Sequence, residues 1–266
     1  MDFCSIASGS SGNCTFICSD ETAILIDAGI SAKQIERGLN SIEHTSGELG
    51  GILITHEHSD HIKALGVLSR KYGIPLYGSR GTLRAVAECT ALGEIDPALY
   101  HEIGADEDIT IGDITVHPFV IPHDAAQPFG YRVECGGRKA AVATDLGVFN
   151  DYIVDNLQGL DAILLESNHD IRMLQAGPYP YYLKQRILGT HGHLSNENAG
   201  RLLCRLLHDD LGHVFLGHLS KENNFDALAY ETVCMEVNMG DNPYKSADFH
   251  IRVAKRNEVT ELIRMD

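Results

Sequence analysis

The chain has 266 residues, 44% of them hydrophobic and 22% charged, which suits a large buried core, and its formal charge of −16 opposes binding of polyanions by overall field. No run approaches the roughly 18 to 20 apolar residues of a membrane span, and the start MDFCSIASGSSGNC has no basic region leading into an apolar one, so a cytoplasmic protein is expected. Seven scattered cysteines, odd in number and without a CxxC pair, argue against a disulfide framework and a thiolate zinc site.

In chain order, short apolar runs predict strands: AILI from Ala23 leads into Asp27, GILI from Gly51 into THEH, AAVA from Ala140 towards Asp145, AILL from Ala162 into Glu166, and HVFL from His213 towards His218. Runs of this length and apolarity suit buried strands. Each hands over an acid or a histidine near its end, so the strand ends are expected to share one rim. HIKALGVLSRKY from His61 places Ile62, Leu65 and Leu68 at helical spacing, and NENAGRLLCRLLHDD from Asn196 and ENNFDALAYETVCMEV from Glu222 are also helix-like. ITIGDITV from Ile109 and YRVECGGRKAAVAT from Tyr131 predict hairpins turning at Gly-Asp and Gly-Gly. Strands and helices mix along the whole length without a linker, so one layered α/β domain spanning 1–266 with mixed sheets is expected. Ile62 to Ala87 carries Lys63, Arg70, Lys71, Arg80 and Arg84 and no acid, which reads either as solvated helix faces or as a phosphate track.

The strongest signal is THEHSDH, which places His56, His58, Asp60 and His61 within six residues after an apolar strand. Imidazole and carboxylate suit Zn²⁺, Mn²⁺ and Fe²⁺, and so short a loop cannot turn all four groups onto one ion without strain, so two ions are expected. Such a pair can share a bridging hydroxide and clamp the attacking and leaving oxygens of a hydrolytic displacement.

HxHxDH resembles the signature of the metallo-β-lactamase fold superfamily. The resemblance implies an αββα sandwich of two mixed β-sheets flanked by helices, with a metal site at the sheet ends. It implies that His56, His58 and His123 hold one ion, that Asp60, His61 and His218 hold the other, that Asp145 bridges them, and that Asp27 supports them by hydrogen bonding. SGSSGNC, LIDAGIS, ITHEHSDHIKALGVLSRKYGIPLY, LLESNHD, GHLSNENA and LGHLSKENN together are similar to the YycJ-like (WalJ-like) branch, related to nuclease and phosphodiesterase members such as ribonuclease Z. That branch implies a metal-dependent hydrolase of the phosphodiester type, acting as a 5′ to 3′ exonuclease with DNA or another nucleic acid as substrate. The rivals are a small-molecule hydrolase of the same fold, acting on a cyclic phosphodiester, thioester or lactone, and a non-catalytic binding protein.

The phrase GHLSxEN occurs twice, from Gly192 and from Gly217. His218 follows the strand HVFL and is expected to be a ligand, whereas His193 follows the glycine-bearing loop RILGTHG. By similarity to ribonuclease Z-like enzymes, His193 is expected to assist the leaving group with Glu166 orienting it, beside a catalytic Asp60. Ser195 and Ser220 are expected to N-cap the helices that follow, Ser195 also offering a phosphate contact. Ser10, Ser11 and Asn13 in SGSSGN form either a phosphate-contacting loop or a turn. His169 and His191 lie near these segments without an assigned role.

Overall fold

A computed structural model describes residues 1–265. The first sheet contains β1 (Asp2–Ala7), β2 (Cys14–Cys18), β3 (Ala23–Ile26), β4 (Leu49–Leu53), β5 (Leu76–Gly78) and β6 (Tyr100–Glu102). The second contains β7 (Ile109–Ile111), β8 (Ile114–Val120), β9 (Phe129–Cys135), β10 (Arg138–Ala143), β11 (Ala162–Glu166), β12 (His213–Gly217) and β13 (His250–Val253). The chain then returns to the outer edge of the first sheet as β14 (Ile263–Arg264), beside β1. Both sheets are mixed, changing from antiparallel to parallel pairing after β3 in one and after β10 in the other. The two hairpins form as predicted, β7 to β8 across Gly112 and β9 to β10 across Gly136 and Gly137, all three glycines having the positive φ that such turns require.

Helices cover the outer faces. Ile35 and Leu39 of α1 (Ala32–Ser41), Ile62 of α2 (Ser59–Ile62), Leu65 and Leu68 of α3 (Leu65–Tyr72), and Leu83 and Val86 of α4 (Arg80–Glu88) join the core outside the first sheet. Ile153 and Val154 of α5 (Asp151–Asn156) pack outside the second sheet. The short α6 (Ile171–Ala176) and α7 (Tyr181–Leu188) lead to α8 (Asn196–Leu206) and α9 (Asp226–Met239), whose Leu202, Leu203, Val233 and Val237 complete that outer core. Between the sheets lies a third core, in which Phe3, Ile17, Ile24 and Leu53 of one sheet meet Tyr131, Val142, Leu164 and Phe215 of the other. This is the four-layered αββα arrangement, and apolar faces on both sides of each sheet explain why its strands read as continuous apolar runs.

Two helix expectations are corrected. HIKALGVLSRKY is broken into α2 and α3, because Ala64 N–H turns back to the carbonyl of Ala28 instead of continuing the helix. Ser220 caps no helix: its hydroxyl accepts from Asn223 N–H in a turn, and α9 begins only at Asp226, after Phe225. All seven cysteines are free, with Cys4, Cys14, Cys18 and Cys234 buried. No described helix is long and apolar enough to cross a membrane.

Phe215 is 1% exposed and stacks on Phe3 across the two sheets at 5.8 Å. Phe215→Ala should therefore lower the free energy of urea unfolding by about 3–5 kcal/mol. Met239→Ala, at a position 78% exposed, should change it by less than about 0.5 kcal/mol.

Candidate metal centre

The centre is assembled where strands end. After β4, Thr55 and His56 continue into His58, which precedes the single turn α2 and so brings Asp60 and His61 back beneath it. Asp27, just past β3, receives Thr55 N–H at 2.9 Å, the Thr55 hydroxyl at 2.9 Å and His61 Nδ1 at 2.7 Å. Gly29 lets this strand end touch the Asp60 turn, since a Cβ there would lie 1.6 Å from the Asp60 carbonyl oxygen. Asp27, Asp145 and His218 all have left-handed backbones, with φ of 63°, 59° and 54°. Strain of that kind costs about 1–3 kcal/mol per residue and persists where surrounding bonds overdetermine it.

Hydrogen bonding sets which nitrogen each imidazole offers. His56 Nδ1 meets the Thr55 hydroxyl at 3.0 Å, His61 Nδ1 meets Asp27, His123 Nδ1 meets the Gly192 carbonyl at 3.1 Å, and His218 Nδ1 meets Glu166 Oε1 at 2.8 Å. Each N–H is thereby held outward, leaving Nε2 to face the centre. His58 is the exception, directing Nδ1 inward to 3.1 Å from His56 Nε2 and 3.3 Å from His123 Nε2.

Those spacings fit a cation. Two nitrogens bound tetrahedrally to one ion at about 2.0–2.1 Å lie about 3.4 Å apart. A second trio has His218 Nε2 at 3.4 Å and His61 Nε2 at 3.6 Å from Asp60 Oδ2. Asp145 reaches both, with Oδ2 at 3.3 Å from His61 Nε2 and Oδ1 at 3.6 Å from His123 Nε2. Its Oδ2 is buried without a hydrogen bond of good geometry, an orphaned anionic acceptor amid imidazoles. His and Asp donors so arranged suit a divalent metal ion.

Glu166, wholly buried at the end of β11, is saturated. Oε1 accepts from both His193 Nδ1, at 2.9 Å, and His218 Nδ1, while Oε2 accepts from the amides of Leu146 and Leu194 at 2.8 and 2.9 Å. Glu166, Asp145, His193 and His218 also cluster closely enough to hold an ion, but those four donors leave Glu166 no site for one. Burial opposes its charge, yet His193 and His218 pull its pKa down to about 2. Burial likewise opposes protonation of His218, but Asp145, Asp60 and Glu166 push it up to about 10 in the metal-free protein. His56 is held well below the usual histidine value by burial and by His61, hence neutral, the form in which imidazole binds metal.

A cavity of about 360 Å³ opens over this cluster and is lined by Ser10, His58, Asp60, His123, Asp145, His193 and His218, with Tyr179, Leu183, Arg186 and Ile187 on its outer wall. His193 is 22% exposed in it, against 2% for His218. Ser11 is exposed beside a neighbouring cavity that it shares with Ser10, Asp60 and Lys63. Asn13 does not reach the lining: it is buried, its Oδ1 accepting from Gly9 N–H, as the turn reading has it, and its Nδ2 lying 3.1 Å from His61 Nε2. Ser195 is buried as the N-cap of α8, accepting from Asn198 N–H, and is also absent from the lining. His169 is buried, and burial lowers its pKa to about 4; His191 is exposed, its carbonyl accepting from Asp124 N–H.

The basic stretch from Ile62 to Ala87 makes several local bonds. Arg70 donates to the carbonyls of Leu92 and Glu94, Lys71 to Glu36, and Arg84 to Glu88, so three of its five cations serve local bonds. Sequence reasoning missed the outer wall around α7, whose signal was an absence of acids: none occurs from Ile171 to Asn196.

The fold and the histidine-aspartate cluster place the chain in a known class, for residues 22–212 match the model of the Beta-lactamase superfamily domain, and the chain belongs to that superfamily. It is 40% identical over 233 residues to exodeoxyribonuclease YycJ of Bacillus anthracis, covering 88% of each chain. It is 40% identical over 236 residues to exodeoxyribonuclease WalJ of Streptococcus pneumoniae serotype 2 (strain D39), covering 89% of this chain and 88% of that one. Zn²⁺-bound PqqB from Methylobacterium extorquens is similar in fold, with a TM-score of 0.72 over 98% of this chain and 100% of that one, at 16% identity.

Asp27→Asn removes the charge that fixes the His61 ring while keeping the size of the side chain. It should weaken metal affinity about 10- to 100-fold in a chelator competition titration. His218→Gly should unfold at higher urea than His218→Ala, by about 1 kcal/mol, because φ of 54° suits glycine alone of the two.

Proposed function

We propose that the chain is a dinuclear metal-dependent phosphodiesterase acting on DNA as a 5′ to 3′ exonuclease. The observation that carries this reading is Asp145, within 3.3–3.6 Å of an imidazole nitrogen of each trio. His56 Nε2, His58 Nδ1 and His123 Nε2 would hold one ion, Asp60, His61 Nε2 and His218 Nε2 the other, and Asp145 would contact both; Zn²⁺, Mn²⁺ and Fe²⁺ all suit these donors. Two divalent ions supply Lewis-acid stabilisation of phosphoryl charge and a nucleophile at neutral pH.

The chain's own residues supply the rest. Glu166 accepts the Nδ1 proton of His193 and so fixes the ring, whose Nε2 edge is left to the cavity. His193 Nε2–H would donate to the departing oxygen, and Glu166 would balance the charge on that imidazole. The same carboxylate turns His218 inward instead, so the two GHLS phrases share an anchor and serve different tasks. Ser10 at the cavity edge offers a hydroxyl to a phosphate oxygen. The names of the two 40% identical relatives support DNA as substrate.

Elemental analysis should find about one ion fewer per chain in His218→Ala, while His193→Ala keeps its metal and loses about 10²–10⁴-fold in kcat. Equal metal loss in both variants would remove the division of roles. Wild-type protein should shorten 5′-phosphorylated duplex DNA with Mn²⁺, Zn²⁺ or Fe²⁺, and chelation should stop it. No shortening with any of the three, alongside turnover of a cyclic nucleotide, thioester or lactone, would sink the DNA reading in favour of the small-molecule one.

A further inference from the structure

The segment between Asp170 and Glu197 contains Arg172, Lys184 and Arg186, three tyrosines and no acid, in a chain whose formal charge is −16. Its helix α7 buries no residue, yet Leu183, Arg186 and Ile187 of that helix and the preceding Tyr179 form the outer wall of the cavity over the histidine cluster. Tyr181 and Tyr182 stand 76% and 74% exposed on it, among the most open apolar side chains of the described residues. The arm is tied down by few polar contacts: Lys184 donates to the carbonyls of Gln175 and Gly177, and Arg186 pairs with Asp124 beside His123. Folding alone gives no reason to leave two adjacent rings in water on a helix without a buried face.

We propose that this arm is a platform for a single strand of nucleic acid, with Tyr181 and Tyr182 stacking bases released from the duplex end while the phosphodiester enters the cavity beside α7. The inference rests on the reading of the centre as a DNA phosphodiesterase and deepens it. A cavity of about 360 Å³ has room for a nucleotide-sized group and not for a double helix, so a nucleotide freed from the duplex end fits it. Unpaired bases expose π faces that tyrosines stack without regard to sequence, and the arm lacks the carboxylates that would repel the backbone between them. Arg172 is exposed and makes no ion pair with a carboxylate among the described residues, so its charge is available to that backbone, whereas Lys184 is already held by the carbonyls of Gln175 and Gly177.

The test uses the full metal-loaded chain, with Tyr181→Ala, Tyr182→Ala, the double variant and the matching Phe variants. For 5′-phosphorylated duplex DNA, KM should rise about 5- to 100-fold for each ring removed, with kcat and turnover of bis(4-nitrophenyl) phosphate near wild type and with Phe restoring KM. Binding is read separately, with chelator present, from quenching of 2-aminopurine in a single-stranded oligonucleotide; quenching should fall in the Ala variants and persist in the Phe variants. Unchanged KM and unchanged quenching in the double Ala variant would overturn the platform even if the wild type digests DNA. Loss of turnover of the small diester in step with DNA would also overturn it, by making α7 a structural support. A wild type that quenches the probe through these tyrosines but cuts no DNA would instead retain the platform and refute the exonuclease.

Discussion

The centre depends on one buried carboxylate. Glu166 carries four N–H donors, two imidazoles on one oxygen and two backbone amides on the other, and these come from the loops after β10 and α7 and from the end of β12. A carboxylate withdrawn from water survives only when its lone pairs are met, so β11 can present Glu166 only if those three segments close around it. The same requirement fixes the rings of His193 and His218 relative to each other. Orientation of the site is thus a by-product of satisfying a charge that the fold has buried.

Asp27 plays the corresponding part on the other sheet. It follows β3 as Asp145 follows β10, each just where the pairing changes from antiparallel to parallel, and both residues have left-handed backbones. Asp27 spends its oxygens on Thr55 and His61, whereas Asp145 Oδ2 remains without a well-directed donor. Equivalent positions in the two sheets therefore provide one carboxylate that holds a histidine and one left open to a cation. The left-handed turns carry a local cost, which the buried hydrogen bonds around Asp27 and the His218 ring offset.

The charge distribution follows from the same geometry. Three of the five cations of the Ile62 to Ala87 stretch bond to carbonyls or to Glu36 and Glu88, while Lys63 lines the cavity that it shares with Ser10 and Asp60. The acid-free stretch after Asp170 lines the cavity over the histidine cluster through Tyr179, Leu183, Arg186 and Ile187. A net charge of −16 consequently says little about the field at the mouth, because local composition and pairing decide it.

Much of the fold and the site was legible in the residues themselves. Period and length marked β3, β4, β10, β11 and β12, glycine marked both hairpin turns, and THEHSDH declared a cation site because no buried core tolerates that many imidazoles without a task. Other features had no local signature. Nothing in HIKALGVLSRKY reveals that Ala64 bonds back to Ala28, nothing in SGSSGN reveals that Asn13 turns inward to His61, and Ser195 and Ser220 share a phrase although only Ser195 caps a helix. Sequence by itself determined which groups could bind a cation, since donor chemistry belongs to the side chain. Only tertiary structure decided which nitrogen most of these rings offer, since the Nδ1 partners of His61, His123, His193 and His218 lie 27 to 69 residues away along the chain.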